Sequence, residues 1–278
     1  MAPEERWLIG LDIDGTVLTE DGVLADAVAA EIRRVRDLGH EVMPATGRSV
    51  SMTLPVIDRL GITPSYAVSA NGAIVMRRDK EAPIGWVRDR VETFDPREVL
   101  TTIRGHLSGA SFAVEDAEGL FRFTGQFPEG ALAAGRLQVD FDELLDAPAT
   151  RVVVLSPGHA IEDFLQVVEK MGLHKVSYNV GWTAWLDIAP DGVNKGTGLE
   201  YVRRRLGIAR EHVMVVGDGR NDIDMFAWAA AGGGVAVAMG QAPDEVRAVA
   251  TDVTGTDVEQ GVASALARYF QDREPLRL

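Results

Sequence analysis

With 278 residues, 46% of them hydrophobic and 25% charged, the chain has the length for two domains and the make-up of a globular protein with a sizeable core. A formal net charge of −14 argues against nucleic acid or an anionic membrane as partner, and the absence of cysteine excludes both a disulfide framework and a thiolate metal site. The opening Met1-Ala2-Pro3-Glu4-Glu5-Arg6 lacks the layout of a signal peptide and no apolar stretch is long enough to span a membrane, so the expected compartment is the cytoplasm.

Strands and helices alternate from the start. An apolar strand at Trp7–Leu11 is followed by a helical pattern from about Leu24 to Leu38, closed by Gly39. A strand at Glu41–Ala45, a helix at Val50–Leu60 closed by Gly61, and a strand at Tyr66–Ser69 come next. The middle of the chain reads differently. Asp95-Pro96-Arg97-Glu98 is a helix start, with Asp as N-cap, Pro in the first turn and Glu closing a capping box. Short strands are expected at Ser111–Val114, Gly119–Phe123 and Arg151–Leu155, then a helix at Ala160–Met171 and a hairpin of Lys175–Val180 with Thr183–Ile188. The alternation resumes with a helix at Gly196–Leu206, strands at His212–Val216 and Gly234–Ala238, and a last helix from near Gly261. Near-continuous apolar strands between helices indicate a parallel sheet covered on both faces. The expected fold is therefore α/β: a Rossmann-like, doubly wound core of residues 1–82 and 188–278, with an α+β domain of residues 83–187 inserted into it.

Four loops, each just after an expected core strand, hold the residues that could carry chemistry; in open parallel sheets ligands bind at that edge. The first is Asp12-Ile13-Asp14-Gly15-Thr16. Strand alternation would point Asp12 and Asp14 the same way, and two carboxylates so close resist ionising together unless a cation lies between them or one keeps its proton. A solvated strand end with two ordinary acids is the competing reading. The second is Ala45-Thr46-Gly47-Arg48-Ser49, where a hydroxyl and backbone amides at a helix start could cradle phosphate, or simply cap the helix. The third is Lys195, one of only four lysines, in a turn leading into a helix. The fourth is Gly217-Asp218-Gly219-Arg220-Asn221-Asp222, whose Asp218, Asn221 and Asp222 are hard oxygen donors of the kind Mg²⁺ prefers. A calcium loop fails there, because Arg220 takes the third position and Ala229 replaces the terminal glutamate. Dinucleotide and Walker-type glycine patterns are also absent.

Taken in order, these four loops resemble the haloacid dehalogenase superfamily of phosphohydrolases. Ser69-Ala70-Asn71-Gly72-Ala73, Val193-Asn194-Lys195-Gly196 and the tail from Val235 to Leu266 are similar to its Cof-type branch, with Gln241 standing where that branch usually has Asn. The resemblance implies Asp12 as a nucleophile that forms an aspartyl-phosphate, and Asp14 as general acid and then base. It implies Thr46 and Lys195 as holders of the phosphoryl oxygens, with Gly47, Arg48 and Asn71 as further phosphate or substrate contacts. It implies Mg²⁺ held through Asp12, the Asp14 carbonyl and Asp218, with Asp222 and Asn221 placing its waters or orienting Lys195. The substrate would be a small phosphorylated metabolite such as a sugar phosphate or a phosphorylated cofactor. A phosphomutase or phosphotransferase would use the same residues, and a non-catalytic binding protein would have no need of them together. The inserted domain would act as a cap reading the leaving group, with Tyr178, Trp182, Trp185, His174 and Arg151 as lining or as half-buried packing. Neither nucleic acid nor membrane is expected as a partner, and monomer and homodimer both remain open.

Overall fold

The computed structural model describes residues 6–107, 109–132, 135–158, 160–171, 176–180 and 184–271, with 161, 165 and 176–180 described by backbone alone. In chain order the strands are β1 (Leu8–Leu11), β2 (Glu41–Pro44), β3 (Tyr66–Ser69), β4 (Ile74–Arg78), β5 (Trp86–Val91), β6 (Ser111–Glu115), β7 (Phe121–Thr124), β8 (Arg136–Gln138), β9 (Arg151–Leu155), β10 (Val176–Val180), β11 (Trp185–Pro190), β12 (Val213–Gly217), β13 (Val235–Ala238) and β14 (Asp252–Val253). The helices are α1 (Asp26–Asp37), α2 (Val50–Leu60), α3 (Arg97–His106), α4 (Ile161–Met171), α5 (Lys195–Leu206), α6 (Ile223–Ala231), α7 (Asp244–Arg247) and α8 (Gly261–Tyr269).

The chain divides into two compact units. The first is formed by Met1–Pro44, Val56–Ser65 and Arg203–Leu278. It contains a five-stranded, all-parallel sheet in the order β14-β13-β12-β1-β2. Both central strands, β1 and β12, are buried along their whole length, which is why they read as unbroken apolar runs rather than as an alternation. Helix α1 buries Val28, Ala29, Ile32 and Val35, the one-face spacing that its sequence predicts. Asp26 stands in its first turn and Arg34 and Arg36 in its last, each matched to the helix dipole. Gly39, at φ +95°, ends the helix by donating its amide to the Arg36 carbonyl.

The second unit, Ala45–Pro55 and Tyr66–Val202, holds two sheets. One is the antiparallel β3-β4-β5. Strand β3, expected to extend the parallel core, instead pairs with β4 as a hairpin partner, and among the described residues its one parallel pairing is the Ala45–Val68 bridge. The other is six-stranded, in the order β10-β11-β9-β6-β7-β8, antiparallel except between β7 and β8. Helices α3 and α4 pack Leu100, Ile103, Phe164 and Val168 against Phe112, Val114, Val152 and Val154 on one of its faces. The other face carries a smaller cluster of Ala113, Phe121, Leu132 and Val153, rimmed by Phe123, Phe127 and Trp185. Among the described residues no helix is long and apolar enough to cross a membrane.

Candidate active site

In the first unit the loops that follow β1 and β12 bring Asp12, Asp218 and Asp222 together. All three are buried, and each offers one carboxylate oxygen within 4.8 Å of the others. Asp12 continues the β1 ladder, donating its amide to the Val216 carbonyl at 2.9 Å. The strand ends at Leu11, so alternation no longer governs the residues beyond it: Asp12 is 5% exposed and Ile13 buried, while Asp14 is exposed in the turn. The two aspartates of the first loop therefore have different surroundings, one inside the acidic triad and one open to solvent.

The loop after β12 is held from within. One oxygen of Asp222, Oδ2, accepts from the amides of both Asp218 and Gly219 at 2.9 Å. The Thr16 hydroxyl donates to Asp218 Oδ1 at 3.2 Å, tying the loop after β1 to the loop after β12. Gly15, at φ +66°, lies so close that a Cβ there would stand 2.3 Å from Asp218 Oδ2. Asn221, within this loop, is half-buried, and its amide stands outside the three clustered carboxylates.

Three buried carboxylates without an intervening cation would repel one another strongly. Their donor set is all hard oxygen, with neither imidazole nor thiolate among the ligands, which fits a small divalent cation of the Mg²⁺ type.

The second unit holds the other sequence-derived candidates, Thr46, Gly47, Arg48, Asn71 and Lys195. Thr46 is buried; its amide donates to the Val68 carbonyl, its carbonyl accepts from Asn71, and its hydroxyl accepts from the Arg48 amide at 3.1 Å. Ala70 donates to the Arg48 carbonyl, so the Thr46-Gly47-Arg48 turn and the Ala70-Asn71-Gly72 turn are stitched together. Ala70 and Asn71 both adopt positive φ, 48° and 50°. Lys195 is fully buried as the first residue of α5. The helix start is fixed by Asn194 and Thr197, which exchange side chain-to-amide hydrogen bonds at 3.0 Å in both directions. Gly72 packs against that start: a Cβ on it would lie 2.1 Å from the Asn194 carbonyl oxygen.

Of the residues expected to line the inserted domain, Trp182 and His174 lie outside the described residues, as does the side chain of Tyr178. Arg151 and Trp185 both hold Asp187, through Arg151 Nε at 2.5 Å and Trp185 Nε1 at 3.1 Å. Beside them the fully buried Glu115 has no hydrogen-bond partner for either carboxylate oxygen among the described residues, and burial pushes its carboxyl up to about 7. Sequence reasoning passed over Glu115, whose only signal was an acid closing an apolar strand. Gln241 lies 226 residues from Gly15 of the first loop along the chain. In space Gln241 meets that loop, its Nε2 donating to the Gly15 carbonyl.

A family model described as haloacid dehalogenase-like hydrolase matches residues 9–266. A 5-amino-6-(5-phospho-D-ribitylamino)uracil phosphatase of Bacillus subtilis is 26% identical over 275 residues, covering 95% of this chain and 97% of its own length. A pyridoxal phosphate phosphatase of Escherichia coli is 28% identical over 276 residues, covering 95% and 98%. Among solved structures, a subclass IIB sugar phosphatase superposes with a TM-score of 0.79 at 21% identity, over 95% of this chain and 98% of that one, a likeness of fold.

Proposed function

The chain belongs to the haloacid dehalogenase-like hydrolase family and is an enzyme of its phosphatase type; on that premise we propose that it hydrolyses phosphate monoesters of small metabolites through an aspartyl-phosphate on Asp12. The observation that carries this reading is the buried triad of Asp12, Asp218 and Asp222 at the ends of two adjacent parallel strands. We assign Asp12, Asp218 and Asp222 to the holding of Mg²⁺, with the Asp14 carbonyl and Asn221 beside them. When bound, the cation supplies positive charge that keeps the carboxylates ionised and offsets the charge of the phosphoryl group.

In the first step an Asp12 carboxylate oxygen forms a bond to phosphorus as the ester P–O bond breaks, and Asp14 gives its proton to the departing oxygen. In the second, Asp14 takes a proton from water as that water's oxygen bonds to phosphorus and Asp12 leaves. The exposure of Asp14 against the burial of Asp12 supports this division, since the proton carrier must reach leaving group and water. Thr46 and Lys195 are assigned to the phosphoryl oxygens, with Gly47, Arg48 and Asn71 around them. Segment 83–187 is assigned as the cap that reads the leaving group, a role that the separate six-stranded sheet with its own core supports. The Bacillus subtilis and Escherichia coli relatives favour a substrate in which a phosphate ester is attached to, or carried on a chain from, a nitrogen heterocycle.

Asp12→Asn should lower the turnover of an aryl phosphate by more than about 10³-fold while leaving the folded protein intact by circular dichroism. Removing divalent metal with a chelator should abolish release of phosphate, and adding Mg²⁺ back should restore it. Full activity in either experiment would rule the assignment out.

A further inference from the structure

Gln241 lies in the turn directly after β13, the strand that flanks β12 in the parallel sheet. Its half-buried side chain spans two segments. Nε2 donates to the Gly15 carbonyl, and Oε1 accepts from the Asp257 amide at 3.1 Å. A carbonyl can only accept and a backbone amide can only donate, so the two ends fix the orientation of the side-chain amide between them. A second strand of the same strap runs from the Glu20 amide to Asp257 Oδ2 at 3.2 Å. The segment from Gly15 to Glu20 is thus tied at both ends to the loop around Asp257.

Gly15 is the residue that follows Asp14, and its Cα lies against the Asp218 carboxylate. The carbonyl that Gln241 grips therefore belongs to the chain neighbour of the proposed proton carrier, and the next residue, Thr16, donates its hydroxyl to a proposed metal ligand. Backbone hydrogen bonds within the turn run from Thr16 and Leu18 to the Ile13 carbonyl, and none of them restrains the Gly15 carbonyl. We propose that Gln241 is a positioning residue that sets the placement of Asp14 by holding the Gly15 carbonyl, an inference that rests on the phosphatase reading above.

The consequence is specific to one step. Proton donation by Asp14 matters most when the leaving oxygen is basic, because a good leaving group departs with little help. A displaced Asp14 penalises phenyl phosphate more than p-nitrophenyl phosphate. Loss of folded enzyme would scale both rates equally, so the ratio of the two separates positioning from stability. The quantity to compare is kcat/KM, which covers the steps through formation of the aspartyl-phosphate.

The test uses the full-length protein with Mg²⁺ and three variants. Gln241→Leu is close in size and carries neither donor nor acceptor, and Gln241→Ala removes the side chain. Asp14→Asn serves as the reference for loss of the general acid. In both Gln241 variants kcat/KM should fall about tenfold more for phenyl phosphate than for p-nitrophenyl phosphate, in the same direction as in Asp14→Asn. Equal losses on both esters, or no loss on either, in Gln241 variants while Asp14→Asn remains selective would overturn the positioning role. If Asp14→Asn itself showed no such selectivity, or the unaltered protein hydrolysed neither ester, the phosphatase reading would fail instead.

Discussion

At Asp218 the neighbouring residues leave little freedom. Thr16 donates to one oxygen, and the Cα of Gly15 fills the space beside the other. Gly15 is needed twice over, for its left-handed backbone at φ +66° and for the missing Cβ. Gly15→Ala should therefore act on the carboxylate and not only on the turn. The backbone alone costs about 1–3 kcal/mol, and the methyl group must push Asp218 out of the triad. The expected outcome is weaker binding of Mg²⁺ in calorimetric titration, by about tenfold or more, together with a lower melting temperature. Unchanged Mg²⁺ affinity would show that Asp218 does not serve the metal. The pairing of Asp12 and Asp14 changes meaning at this scale as well. Alternation predicts two like neighbours, but β1 stops at Leu11 and the turn gives each its own environment. That difference suits two unlike tasks better than a matched pair would.

At the scale of elements, the start of α5 depends on Gly72. Its φ of +99° and its approach to the Asn194 carbonyl both exclude a side chain. Gly72→Ala should destabilise the protein by about 2–3 kcal/mol in denaturant titration and displace the turn that presents Lys195. A variant as stable as the parent would show that this contact is dispensable. The elements that were legible in the sequence are those that packing makes redundant. Strands β1, β9 and β12 are buried on every residue, so their apolar runs announce them. Strand β5, Trp-Val-Arg-Asp-Arg-Val, carries three charges and was not foreseen, nor was β8, Arg-Leu-Gln, whose three residues are all exposed. The candidate residues were legible by type and by their place after strands: Asp12, Thr46, Lys195, Asp218 and Asp222. Their supports were not. Thr16 reaches Asp218 across 202 residues and Gln241 reaches Gly15 across 226, and no local pattern encodes a contact between segments so far apart.

Over the whole molecule two titrating groups set opposite pH dependences. Glu115, buried in the second unit, has its carboxyl raised from 4.5 to about 7, chiefly by burial; the Arg151 charge opposes this, Asp187 and Asp116 add to it, and Arg88 opposes it. Between pH 4.5 and about 7 the folded protein keeps a proton that the unfolded chain has released, so raising the pH through this window destabilises the fold. Above about 7 the full penalty applies, on the order of 3 kcal/mol, and below 4.5 it vanishes. His40, in the first unit, works the other way. Its Nδ1 accepts from the Trp7 amide at 3.2 Å, its ring packs against Phe270, and burial, then Arg6, then His212 lower its pKa below 6.5. Stability from the neutral ring is present above pH 6.5 and is lost as the pH falls through the lowered value. Glu115→Gln should therefore raise the melting temperature at pH 8, with the gain shrinking toward zero as the pH approaches 4.5. His40→Gln should lose the part of the acid slope that begins just below pH 6.5, while Glu115→Gln keeps it. Thermal melts of the three proteins from pH 4.5 to 8 decide this: parallel curves for Glu115→Gln and the parent would mean that Glu115 is ionised alike in folded and unfolded chains.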